Sequence, residues 1–231
     1  MKVSRDIALP AHYSDAMRRA LLAAANGDPA GQIALGQIYE QGNGVPQNFA
    51  EAMRWYAKAA GGGSARARYM VGLMYANGRG VLRDRDAALE WFTEAALAGS
   101  VEAQHALGGM YARGKGVRQD LAKAAEWFRL AAENGDDAAQ LIFGLMLRDG
   151  RGVPKDDIAA YVWISRSVAQ RPDGERRDIA LKALETVARR LSPGQIRDAQ
   201  EWMHAQRPTR DPVVVPAVHT GDEAIAVPPP V

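Results

Sequence analysis

The chain predicts an all-α fold, an α-solenoid of antiparallel helix pairs closed at both ends by capping helices. Three observations predict it. Tryptophans recur every 36 residues, at Trp55, Trp91, Trp127 and Trp163. Glycines keep the same step at Gly36, Gly72, Gly108 and Gly144. Within each unit the apolar residues follow helical spacing, and no period-2 alternation survives in any of them. A fixed period of this length marks a repeat array. One such unit cannot bury its apolar face alone, so stacking the units makes the core.

The elements follow in order. Residues 1–12 are a lead-in, and 13–27 form an N-terminal capping helix in register with the second helix of a unit. Ala23, Ala24 and Gly27 match that register, while Arg19 stands where a tryptophan would. A polar residue there suits a helix with one face in water. Helix A of the first unit carries Ala34, Leu35, Ile38 and Tyr39 around Gly36. A mid-helix glycine costs about 1 kcal/mol relative to alanine, so its recurrence implies close approach of another helix. Gly-x-Gly-Val turns follow at Gly42–Val45, Gly78–Val81, Gly114–Val117 and Gly150–Val153. The first glycine ends helix A in the left-handed conformation, the second lets the chain reverse, and the valine plugs the corner. Asn48, Asp84, Asp120 and Asp156 then N-cap helix B. Helix B holds a tryptophan–aromatic pair and an alanine pair, as in Trp55-Tyr56 and Ala59-Ala60, and closes on Gly63, Gly99 or Gly135.

The fourth unit departs: Leu147 replaces tyrosine, Ser167-Val168 replace the alanine pair, and Arg171 replaces the closing glycine. Its helix B is apolar on several sides, which implies a different kind of neighbour. Residues 172–206 then predict two C-terminal capping helices. The first is amphipathic over 173–191 through Ile179, Leu181, Leu184, Val187 and Leu191. The second starts at Ser192-Pro193-Gly194-Gln195, where the cap, the proline at the first helical position and the glutamine three residues on form a start signal. It runs to about Gln206 and covers the last unit. Residues 207–231 hold six of the twelve prolines. That composition reads as a flexible tail, a short docking peptide, or a segment folding back into the groove of its own array.

The units at 28–171 resemble Sel1-like repeats, relatives of the tetratricopeptide repeat. The resemblance rests on the L-G-x-x-Y, G-x-G-V, W-x-x-x-A-A and closing-glycine positions. It implies a right-handed superhelix with the A helices on its concave side. It also implies a non-catalytic adaptor or scaffold, of the kind found in bacterial envelope, secretion, exopolysaccharide or signalling systems.

Composition narrows the function. A net charge of +2 is too small to imply a nucleic-acid or membrane partner. The 23 arginines against 6 lysines fit either genome base composition or bidentate recognition of carboxylate or phosphate. With no cysteine, disulfides, thiolate zinc sites and cysteine nucleophiles are excluded. The four histidines lack metal-ligand spacing, and no nucleophile motif, phosphate loop or dinucleotide fingerprint is present. Asp136-Asp137 and Asp156-Asp157 read as helix caps. We expect no enzyme activity, cofactor or metal. Met1–Pro10 lacks a signal-like apolar run, so the expected compartment is the cytoplasm, or the periplasm if a leader has been removed.

The expected ligand is a protein or peptide, bound by a monomer or weak homo-oligomer without membrane insertion. The candidate residues are those that vary on the outer side of helix A. One row is Ile33, Tyr69, His105 and Leu141; a second is Gln37, Leu73, Gly109 and Leu145; Arg66, Arg68, Arg113 and Arg148 frame them. Inter-repeat packing is the competing reading for these rows. A polysaccharide- or cell-wall-associated scaffold is the alternative function, and a carboxylate hydrolase a remoter one.

Overall fold

The structure, a computed structural model, describes residues 13–205; the lead-in and the Pro-rich tail lie outside them. Eleven helices succeed one another among these residues, without a strand. They are α1 (Asp15–Ala25), α2 (Pro29–Gln41), α3 (Phe49–Gly61), α4 (Ala65–Asn77), α5 (Arg85–Leu97), α6 (Val101–Arg113), α7 (Leu121–Glu133), α8 (Asp137–Asp149), α9 (Asp157–Gln170), α10 (Glu175–Ala188) and α11 (Pro193–Ala205). The even-numbered helices α2 to α8 are the A helices, and the odd-numbered α3 to α9 the B helices. Each helix through α10 packs on its sequence neighbours, and α11 turns back onto α9. This is the all-helical, sequentially paired arrangement of an α-solenoid.

Local chemistry sets the helix ends. Asn48, Asp84, Asp120 and Asp156 each accept first-turn backbone N–H groups of a B helix, as their sequence position implies. Asp28, Ser64, Ser100 and Asp136 form an equal row on the A helices. Each A helix ends on a left-handed glycine with φ between 63° and 72°. The turn is then locked by backbone alone: Asn43 N–H donates to Ile38 O at 3.1 Å and Asn48 N–H to Tyr39 O at 2.8 Å. In the fourth unit Asp156 N–H donates to Leu147 O at 3.0 Å. The missing tyrosine leaves the turn intact because only the main chain is used. The second turn glycine meets another need. Gly80 and Gly152 press on the carbonyls of Phe49 and Leu121, which open the B helix of the preceding unit, and a Cβ would collide with that backbone.

Packing within a unit and packing between units use different side chains. A Cβ on Gly72 or Gly108 would stand 2.7 or 2.8 Å from the ring of Phe92 or Phe128, so the mid-helix glycine seats the helix-B aromatic of its own unit. The adjacent tryptophan points to the preceding unit. Trp91 packs on the cluster of Tyr56, Ala59 and Ala60, and Trp127 is buried with Phe92, Ala95 and Ala96. Buried glutamines add a polar link. Gln104 donates to Ala96 O at 3.1 Å and Gln140 to Ala132 O at 3.2 Å. These are last-turn carbonyls of B helices that lack intrahelical partners.

The ends differ from the middle. In α1, Met17, Ala20 and Ala24 are buried while Arg19 is exposed, consistent with a water-facing cap. In α10 the buried face is Ala180, Ala183 and Val187. Ile179, expected in that face, is 52% exposed. The small alanines let α10 approach α9 closely, and the larger side chain is turned outward. α11 opens on a reciprocal capping box: Ser192 N–H donates to Gln195 Oε1 at 2.9 Å, and Gln195 N–H to Ser192 Oγ at 3.3 Å. It is held on α9 by Gln200, which donates to Tyr161 OH at 3.3 Å, and by Arg166, whose guanidinium lies 5.0 Å from the Trp163 ring and 5.3 Å from Trp202.

Candidate functional site

The A helices are the inner layer of the array. α4 reaches α6, and α8 reaches α10, across the B helix between them, whereas no two of α3, α5 and α7 meet to that extent. Each A helix is buried on the face holding its glycine and half-exposed or exposed along a stripe at i, i+4, i+7 and i+11, the spacing of one helical face. In α4 the stripe is Arg66, Met70, Leu73 and Asn77; in α6 it is Glu102, Ala106 and Arg113, with Gly109 between them buried.

The candidate residues divide on this frame. Ile33 and Leu141 are each 8% exposed and belong to the packed clusters. Tyr69 is half-buried with its ring 5.6 Å from Phe92, and the His105 ring meets Phe128 edge-on at 5.5 Å. Ile33 and Leu141 therefore pack within their units, while Tyr69 and His105 are half-buried, as Gln37, Leu73 and Leu145 are. A B-helix side chain stands beside each position and takes up much of its surface. Burial, and then the charge of Glu102, push the Tyr69 hydroxyl above the usual phenol range. In the second row Gln37, Leu73 and Leu145 are half-buried, whereas Gly109 is buried under the Arg113 guanidinium.

The row one residue further on, Ala34, Met70, Ala106 and Ile142, is half-buried throughout. Reading the sequence at the 33 register did not include it. Its signal was available, since it also changes from unit to unit and stays apolar.

The framing charges are unequal. Arg148 is forked onto Asp149 at 2.7 and 2.8 Å. That pairing raises the arginine pKa and lowers the carboxylate's, so this cation is already compensated. Arg66 and Arg113 form no ion pair among the described residues. His105 Nδ1 lies 3.1 Å from Asp136 Oδ2. Burial by itself would raise the Asp136 pKa, but the hydrogen bonds from His105 and from the Ala139 and Ala138 N–H groups outweigh it and hold the carboxyl below the usual range. This carboxylate caps α8 and ties it to α6. Asp156 likewise caps α9.

No group of three or more metal-ligating side chains converges among the described residues, and none of their helices is long and apolar enough to cross a membrane. What the inner face offers is an apolar strip crossing four units, with two uncompensated guanidiniums beside it.

Comparison with known proteins places this architecture. The Sel1 repeat model matches residues 29–64, 65–100, 101–136 and 138–171. Among solved structures, the chain is similar to a Sel1 repeat protein from Oxalobacter formigenes, with 34% identity and a TM-score of 0.68 over 74% of this chain and 48% of that one. It is also similar to c5321, a protective antigen present in uropathogenic Escherichia coli strains that displays an SLR fold, with 29% identity and a TM-score of 0.63 over 90% of this chain and 45% of that one. The chain spans about half the length of these two proteins. No curated protein matches it. Four consecutive repeat matches over helices that pair in the same register identify the chain as a member of the Sel1 repeat family, a helical-repeat scaffold protein.

Proposed function

We propose that this scaffold is a non-catalytic adaptor that captures a protein or peptide on the inner face of its A helices, within a bacterial envelope, secretion or signalling system. The observation carrying the reading is the division of labour along the repeat. The residues that recur at the 36-residue step are occupied in caps, turns and packing. The residues that vary, Met70, Leu73, Ala106, Ile142 and Leu145 among them, form one accessible apolar strip. Apolar floors with a polar or arginine rim suit protein partners. Sel1 repeat proteins typically bind proteins, which supports the same reading.

The test is crosslinking capture followed by mass spectrometry, comparing the wild-type chain with Met70→Asp/Leu73→Asp. We expect specific partners to be lost from the double variant while its helical content is retained at the assay temperature; its melting temperature should fall somewhat, because both side chains also pack on core clusters. Retention of every partner by a folded double variant rejects the inner face as the docking surface.

A further inference from the structure

The second row of the inner face runs Gln37, Leu73, Gly109, Leu145, and the one position without a side chain, Gly109, is buried beneath Arg113. Helix α6 carries two successive interior glycines, although each weakens a helix. Gly108 is explained by the Phe128 ring, 2.8 Å from where a Cβ would stand. At Gly109 the three atoms nearest the absent Cβ all belong instead to the Arg113 guanidinium, with Nη2 at 2.8 Å and Cζ at 3.4 Å, the far end of a flexible side chain on the same helix. Arg113 forms no ion pair among the described residues, and neither does Arg66 on α4. The nearby acids are otherwise engaged: Glu102 accepts from Ser100 Oγ at 3.0 Å, and Asp149 is paired with Arg148.

We propose that Gly109 is a seat for one large apolar side chain of a bound peptide, and that Arg113 swings off the helix to pair with an Asp or Glu beside that side chain. The inference rests on the adaptor reading and specifies its ligand: a segment with an aromatic or leucine residue within a few positions of a carboxylate. The chemistry follows from the seat. A bare helix backbone between apolar neighbours accepts shape and area. An uncompensated guanidinium selects a carboxylate by paired hydrogen bonds.

A displayed library of random 12-residue peptides, selected on the full chain, tests this. Affinities of the selected peptides are then read by fluorescence anisotropy. The expected peptides carry the apolar–acidic pair. Gly109→Leu weakens them at least tenfold while leaving the melting temperature unchanged or raised, because leucine is the better helix former. Gly109→Ala gives a smaller loss in the same direction. Arg113→Met weakens binding several-fold and flattens its dependence on salt.

If no peptide is selected, the adaptor reading fails and takes this inference with it. If peptides are selected but bind folded Gly109→Leu and Arg113→Met as they bind wild type, only the seat is overturned. A dimer dissolved by Gly109→Leu would assign the seat to a second copy. Tighter peptide binding after replacing Asp222 and Glu223 by lysine would assign it to the chain's own C-terminal segment. Either result overturns the partner assignment.

Discussion

In the second unit, helix B ends on Ala95-Ala96 and Gly99, and α6 lies directly against the alanine pair. In the fourth unit the same positions are Ser167, Val168 and Arg171, and the junction is polar. Ser167 Oγ donates to Asp137 O at 2.7 Å. Arg171 donates to Ser167 Oγ at 2.9 Å and to Asp137 O at 3.1 Å, and pairs with the Asp137 carboxylate at 2.9 Å. Gly99 has a φ of 91°, which turns the chain into the next A helix. Arg171 is extended at φ −87°, ψ 133°, and no repeat follows. Two of the substitutions that look like decay of the repeat, Ser167 and Arg171, thus act together, and Val168 joins the buried core. A regular junction is held by small residues that let helices approach. The last one is held by a strap tying α9 to the start of α8, leaving the rest of α9 for α10 and α11.

Four experiments sharpen or break this contrast. The largest effect belongs to the regular units. Gly72→Leu must displace the Phe92 ring, and urea unfolding should show a loss of about 3 kcal/mol, the upper range for overpacking. A near-neutral result would mean that A/B packing is looser than the glycine row implies.

Next is Arg171→Gly, which restores the residue of the other units. If the strap matters, restoration is harmful. Its side chain is buried but Asp137 is 45% exposed, so the loss is discounted to about 2 kcal/mol. Stabilisation instead would show the fourth unit to be a degraded repeat.

Trp202→Ala should cost about 1 kcal/mol by removing one of two faces stacked on Arg166. Because Trp202 is 45% exposed, the loss should appear as faster hydrogen exchange in α11 and the C-terminal part of α9, with the first three units unchanged.

The smallest effect is at the junction between the third and fourth units and depends on pH. The Asp136 pKa is lower in the folded chain than in the unfolded one, so its contribution is complete above the unfolded value of about 3.9 and is lost as pH falls through the folded value. Asp136→Asn keeps a capping side chain but cannot titrate. Chemical denaturation across the acid range should therefore show a shallower decline for the variant. Parallel curves would remove the His105–Asp136 link from the stability of this junction.

Much of the fold was legible because its determinants are local. The Ser192–Gln195 capping box, the aspartate caps and the left-handed glycines each act within about five residues, so spacing along the chain reveals them. The candidate site was less legible. The register of the varying row differs by one position between Ile33, packed on its B helix, and Ala34, on the open stripe. On an isolated helix both belong to the same apolar side. Which of them faces water depends on where the B helix lies.

The 36-residue period, with the caps and turn glycines that recur in it, determined that the chain stacks helix pairs, where the helices of the four units start and stop, and that the tryptophans and glycines serve the stack. Only the tertiary structure decided that Arg171 binds Asp137, that Ile179 turns outward while alanines face α9, that α11 returns to α9, and that Gly109 is buried under Arg113. Caps and turns are made by groups that neighbour one another along the chain. These other outcomes depend on which surfaces meet after helices far apart in sequence have docked, and docking is settled by the packing of all of them together.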